Sequence, residues 1–180
     1  MKQKFFIREL VYIAFLAAIT SLLAYLAIPL PAGLPPVTGQ SLGVMLAGLL
    51  LGARNGAISQ MVYLLLGVLG LPVYANGTAG VGVLAGPTGG FIWGFVLGAY
   101  VCGKLTEKNS RATFLPLAGA AVLGGVVVVY IPGVLQLASV TAVTPPEAMV
   151  MMLPFLPGDL IKVLLAAALA QKIRPVIKKR

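Results

Sequence analysis

Apolar residues fill this chain in long unbroken runs, and charged residues arrive in short clusters between them. No Lys, Arg, Asp or Glu occurs in residues 10–53, 55–103 or 112–146. A helical membrane crossing needs about 20 predominantly apolar residues, so each run has room for more than one crossing. Proline, glycine and the charge clusters divide the runs. The pattern predicts six helices at about 6–28, 40–52, 56–69, 88–104, 112–131 and 158–177. The second is short for a full crossing, which suggests that it begins below the membrane surface. Residues 29–39 hold four prolines and no charge and read as a tight external loop. Pro132-Gly133 is expected to kink or end the fifth helix. Pro154 and Pro157 set the start of the sixth at about Gly158, because proline is tolerated in a first helical turn and not inside a helix.

Composition agrees with this reading. Of the 180 residues, 59% are hydrophobic and 9% charged, against about 25% charged in soluble domains. The expected class is an all-α, polytopic membrane protein forming a single six-helix domain over residues 1–180. The amino terminus places Lys2, Lys4 and Arg8 before an apolar run at 10–30. A cleavable signal has an apolar core of about 7–15 residues, so a retained helix is expected.

The net charge of +9 would suit a nucleic-acid surface, but its placement does not. Twelve of the thirteen basic residues fall in four clusters: Lys2, Lys4 and Arg8; Arg54; Lys104, Lys108 and Arg111; and Lys172, Arg174, Lys178, Lys179 and Arg180. Six helices put all four clusters and both termini on one side. That is the positive-inside pattern, and no nucleic-acid partner is expected. One cysteine, Cys102, and no histidine leave no disulfide and no metal-binding set. No cofactor is expected.

The remaining charges are the informative ones. Asp159 and Lys162 lie three residues apart in an apolar segment, on one helix face. Intramembrane ionisable residues are costly and usually face a cavity, a partner or a substrate path. The two can pair with each other for structure alone. At the mouth of a cavity they can instead serve a ligand, and Asp159 in a first turn is favoured by the helix dipole. A carboxylate with an amide such as Asn76 suits a urea-like group, and an ammonium suits a ligand carboxylate. Tyr74, Phe91, Trp93, Tyr130 and Phe155 are candidate apolar walls. The glycine-rich, charge-free residues 71–87 read as a loop folded into a protein-lined cavity. Glycines at 82, 86, 90, 94 and 98, and at 48, 52 and 56, have the spacing of close helix packing, as does the Ala14/Ala18 pair on the first helix.

Four runs occur in order: residues 36–48 (PVTGQSLGVMLAG), 63–77 (YLLLGVLGLPVYANG), 84–91 (LAGPTGGF) and 154–162 (PFLPGDLIK). Together they resemble the BioY family, the biotin-binding subunits (S components) of energy-coupling factor (ECF) transporters, over nearly the whole chain. The resemblance implies a multi-pass protein of a prokaryotic cell membrane that captures biotin from outside. Its implied partners are a transmembrane coupling protein and two cytoplasmic ATPases. It implies that Asn76 and Asp159 hold the ureido ring and that Lys162 lies near the ligand carboxylate. Gln40, Tyr74 and Phe91 are further substrate-binding candidates, and Ala14 and Ala18 match the motif for docking on the coupling protein. Tyr74-Ala-Asn76-Gly departs from the more glycine-rich or phenylalanine-containing form expected there, which bears on the role of Tyr74.

Read from residues alone, the chain is a small-molecule-binding membrane protein. A capture subunit for another vitamin, or an intramembrane enzyme using Asp159 and Lys162 for acid–base work, stays open at that level. A pore is disfavoured, since one Asp and one Lys make a poor selectivity ring. No GxxxxGK[ST] run occurs, so active uptake would need ATP-hydrolysing partners.

Overall fold

The computed structural model describes residues 7–28, 35–108 and 113–178. Lys2, Lys4, Arg111, Lys179, Arg180 and residues 29–34 of the expected external loop lie outside them.

The first helix, α1, covers Ile7–Ala24. It stops short of the expected residue 28 because Ala27–Ile28 leaves the helix and pairs antiparallel with Val37–Thr38. This two-residue ladder, β1 with β2, ties the two ends of the loop together. Helix α2 follows at Gln40–Leu51 and α3 at Ala53–Val68. Gly52 alone separates them, at φ +84°, a left-handed conformation that glycine adopts without steric cost. A Cβ on Gly56 would lie 2.9 Å from the Ala47 carbonyl oxygen, so the hairpin closes tightly.

Helix α2 is the hub. Nine of its twelve residues are buried, and it packs on α1, α3, α5 and the last helix. A helix enclosed on all sides can be apolar all round, which is why its sequence shows no polar face. Its 12 residues span about 18 Å at 1.5 Å per residue, as the shortness of its apolar run anticipates.

A short α4 (Val81–Ala85) precedes α5 (Gly89–Thr106). The next helix, α6, runs continuously over Phe114–Thr141, so of the two expectations for Pro132-Gly133, a kink or an end, the helix does not end there. The cause lies just upstream. Residues Ala121–Val128 are wound as a π-helix, whose wider turns displace the regular carbonyl ladder. A proline clashes with the carbonyl four residues back. For Pro132 that residue is Val128, the last of the π segment, so the ring enters where the ladder is already offset. The glycine stripe of α5 then fits against α6. Cβ atoms on Gly90, Gly94 and Gly98 would lie 2.1 Å from the Pro132, 2.8 Å from the Val129 and 2.6 Å from the Gly124 carbonyl oxygens. Those three glycines serve internal packing, whereas Gly82 meets nothing within 4 Å.

Helix α7 (Pro145–Val150) and a 3-10 turn at Leu153–Phe155 lead into α8, Leu156–Lys178. Pro157 sits in the first turn of α8, as expected. Among the described residues, four segments are long and apolar enough to cross a membrane: Ile7–Ala24, Gly89–Thr106, Phe114–Thr141 and Pro145–Ile177. Their outer faces carry Ile7, Phe15, Leu22, Leu97, Leu115, Leu160 and Leu164, all exposed, which suits lipid and not water. This is an all-α membrane protein.

Candidate functional site

One end of the bundle is hollow. The amino-terminal ends of α2, α5 and α8 meet there with the middle of α6, the turn before α8 and the loop after α3. They line a cavity that, with its mouth and the open space before it included, measures about 710 Å³. Its apolar wall is built from Tyr74, Val83, Phe91, Ile92, Phe95, Val129, Met152 and Phe155, and its polar wall from Thr38, Gln40, Ser41, Thr78, Thr88, Tyr130, Asp159 and Lys162. Three helix amino termini converge on this space, and their partial positive charge favours an anionic group.

Asp159 and Lys162 are the electrostatic centre. The Lys162 ammonium donates to Asp159 Oδ1 at 2.9 Å and to Ser41 Oγ at 3.0 Å. The Ser41 hydroxyl lies 3.3 Å from the same Asp159 oxygen. Tyr130 donates its phenolic hydrogen to Asp159 Oδ2. The side chains of Asp159 and Lys162 are only 7% and 14% exposed, so the pair is largely desolvated. An ammonium has three donors, and a carboxylate has about four acceptor positions. Lys162 therefore keeps one hydrogen, and Asp159 about one lone pair, for something else in the cavity.

Gln40 lines the cavity with its amide already fixed. Thr38 donates to Gln40 Oε1 at 2.8 Å, and Gln40 Nε2 donates to the Tyr63 hydroxyl. Tyr74 contributes its ring, not its hydroxyl. The hydroxyl donates to the Leu64 carbonyl at 2.6 Å, and the ring fills a notch left by Gly67, whose Cβ would lie 2.1 Å from it. Burial raises the Tyr74 phenol above its ordinary pKa, so it stays neutral. Phe91 stands edge-on to Tyr130, centroids 6.0 Å apart, making the junction of apolar and polar walls.

Asn76 is placed differently from the other candidates. It occupies a 3-10 turn, Ala75–Gly77, at φ +56° and ψ +26°, a left-handed conformation that asparagine tolerates better than most residues. It is exposed and is not among the lining residues, whereas Ala75 and Thr78 are. Trp93 also stays outside, half-exposed on the outer face of α5. Gln60, a polar residue within α3, is fully buried and donates to Thr20 Oγ1 at 3.2 Å. It is a strut between α3 and α1 and no part of the cavity.

Residue-type reasoning missed Ser41, Thr38 and the polar role of Tyr130. Ser41 directly follows Gln40 at the start of α2, so a hydroxyl beside a singled-out residue was the available signal. For Tyr130 there was none, since its bond to Asp159 depends on how α6 packs against α8.

The far end of the bundle holds Arg54, Lys104, Lys108 and Arg174. Of the expected basic cluster at the chain's end, Arg174 is turned inward, 1% exposed. Its Nη2 donates to the Thr106 carbonyl at 2.6 Å, joining α8 to the last turn of α5. On α1, Ala14 and Ala18 lie on the exposed face, opposite the buried Ile13, Leu16, Ala17 and Thr20.

A family model described as the BioY family matches residues 1–179. A biotin transporter BioY of Rhizobium etli is 41% identical over 174 residues, covering 92% of each chain. That of Rhodobacter capsulatus is 38% identical, covering 92% of this chain and 93% of its own, and that of Thermotoga maritima 36%, covering 96% and 99%. Among solved structures, the S-component for biotin from an ECF-type ABC transporter superposes with a TM-score of 0.87 at 29% identity, over 93% of this chain and 91% of its own.

Proposed function

The chain belongs to the BioY family, and from that premise we propose that it captures biotin at the outer face of a prokaryotic cell membrane and delivers it to an energised transport complex. The observation that carries this reading is the Asp159–Lys162 pair, 2.9 Å apart, set in the wall of an aromatic-lined cavity. The free acceptor of Asp159 takes a ureido N–H of the ligand. The third hydrogen of Lys162 takes the ligand carboxylate. Phe91 and the Tyr74 ring pack against its apolar portion, and Gln40 offers the amide hydrogen not spent on Tyr63. Asn76, one residue from the lining Ala75, meets the ureido group when the turn at Ala75–Gly77 closes on the ligand.

The topology belongs to the same proposal. Residues 1–180 form one domain of six crossings: α1, α2, α3, α5, α6 and the α7–α8 unit. Both termini face the cytoplasm. The support is that the cavity lies at the end opposite Arg54, Lys104 and Lys108, so the positive-inside rule turns it outward. The partners implied by the likeness to an S-component of an ECF-type transporter are a transmembrane coupling protein and two cytoplasmic ATPases, in keeping with a sequence that has no GxxxxGK[ST] run. Ala14 and Ala18, small residues on an exposed face, let a coupling helix approach α1 closely.

Titration calorimetry of the purified protein with biotin tests the reading, alongside displacement of labelled biotin by other vitamins. One site per chain is expected. No heat and no displacement would sink the proposal, and tighter binding of a different vitamin would reassign the substrate.

A further inference from the structure

Gln136 is a polar side chain within the apolar span of α6, and both hydrogens of its amide nitrogen are committed. Nε2 donates to the Leu84 carbonyl at 2.7 Å and to the Gly86 carbonyl at 2.8 Å. An NH₂ group has two hydrogens, so both are spent on one loop. Those carbonyls bracket the carboxyl-terminal end of α4. The helix has five residues, too few to hold itself together. The loop it belongs to supplies Tyr74, Thr78 and Val83 to the cavity wall.

The sequence around the latch is shaped to admit it. A Cβ on Gly89 would lie 1.9 Å from the Leu84 carbonyl oxygen and 2.6 Å from Gln136 Nε2. A Cβ on Gly90 would lie 2.9 Å from Gln136 Cβ. The Gly-Pro-Thr-Gly-Gly run thus leaves open the channel through which the glutamine reaches from α6 to the loop. Gln136 does not itself line the cavity, so it acts on a ligand only through the wall it holds.

We propose that Gln136 is a positioning residue that latches the glycine-rich loop against the site and so sets how long a bound ligand is retained. The retention part rests on the ligand-capture reading above; the latch itself does not. The latch accounts for a glutamine in a membrane span, where an unpartnered amide would be costly. It also explains why a loop of apolar residues stays folded at the membrane surface.

The test begins without ligand. A spin label is placed at Val81→Cys, in a Cys102→Ala background. Val81 is 63% exposed and outside the cavity lining. Gln136→Met keeps the side-chain length and removes both donors, and Gln136→Glu keeps the shape and sets oxygen against two carbonyls. Gly89→Ala attacks the latch from the other side and leaves Gln136 intact. All three should mobilise the label at 81 and leave a control label at the exposed Leu22→Cys unchanged. Biotin should then dissociate about 10-fold faster, as expected for two neutral hydrogen bonds lost at the exit, with association little altered. The preference for biotin over biotin amide should not move, because no ligand contact is removed. An immobile label in all three variants would overturn the latch. A mobile label with unchanged dissociation would overturn its role in retention. Failure of the parent protein to bind biotin would sink the capture reading alone, with label mobility still deciding the latch.

Discussion

Lys162→Met is the substitution that separates a ligand contact from a structural pair. In the wild-type protein the ammonium holds Asp159 and Ser41 at 2.9 and 3.0 Å and has one hydrogen left. Removing it strips Asp159 of its cationic partner in a site where the carboxylate is 7% exposed. Breaking a buried pair typically costs about 3–5 kcal/mol. Asp159 keeps the Tyr130 and Ser41 hydroxyls, so the cost should fall near the lower bound, about 3 kcal/mol. The melting temperature of the ligand-free protein should therefore fall whichever role the pair has, and stability alone decides nothing. Ligand chemistry decides. A hydrogen bond to a charged group is worth about 1.5–3 kcal/mol, so wild-type protein should prefer biotin over its neutral amide by about 10- to 150-fold. In Lys162→Met that preference should collapse toward unity. The assay is competition binding of both ligands to both proteins, each normalised to the folded fraction. An undiminished preference in the variant would refute the assignment of Lys162 to the ligand carboxylate and leave it as a structural partner of Asp159.

Two further outcomes test the surfaces around the site. Ala14→Trp and Ala18→Trp add bulk to an exposed face of α1 and touch none of its buried residues, so biotin binding should persist while co-purification with a coupling subunit falls at least several-fold; loss of binding with docking intact would reverse the assignment. Cysteine accessibility in intact cells, in a Cys102→Ala background, should label positions 76 and 147 from outside and positions 54 and 108 only after permeabilisation. External labelling at 108 would refute the six-crossing arrangement.

Much of this architecture is legible in the chain because a bilayer imposes few solutions. Backbone groups in hydrocarbon must be satisfied within the segment, so charge-free runs become helices, and their ends fell within a few residues of the expectation for α2, α3, α5 and α8. Asp159 and Lys162 were legible for the converse reason: charge in such a segment has to have a partner. What escaped the sequence is what depends on contacts between distant segments. Pro132 has the same local meaning in any helix, and nothing local announces the π turns that precede it. Arg174 has the composition of an interfacial anchor, yet α5 offers it a carbonyl and it turns inward.

Asn76 and Gln136 show where reading by motif and reading by geometry divide. Motif resemblance marks Asn76 as a ligand contact, but resemblance transfers a residue's identity without its backbone state. In the fold Asn76 is an exposed left-handed turn residue that does not line the cavity, beside Ala75, which does. Gln136 drew no notice, because a lone glutamine in an apolar run has no signature beyond its polarity. Its two acceptors are 50 and 52 positions away along the chain, and they are backbone atoms, which no side-chain motif records. Both residues bear on one segment, the loop between α3 and α5, with Asn76 at its turn and Gln136 holding its far end. Tyr74 joins that loop to the core through the Leu64 carbonyl, behind the turn. The segment is therefore fastened on both sides of the residues that line the site, and the turn at Ala75–Gly77 lies between the fastenings. Asn76 shares that turn with the lining Ala75, so a movement that turned the asparagine toward the cavity would reshape this part of the wall as well.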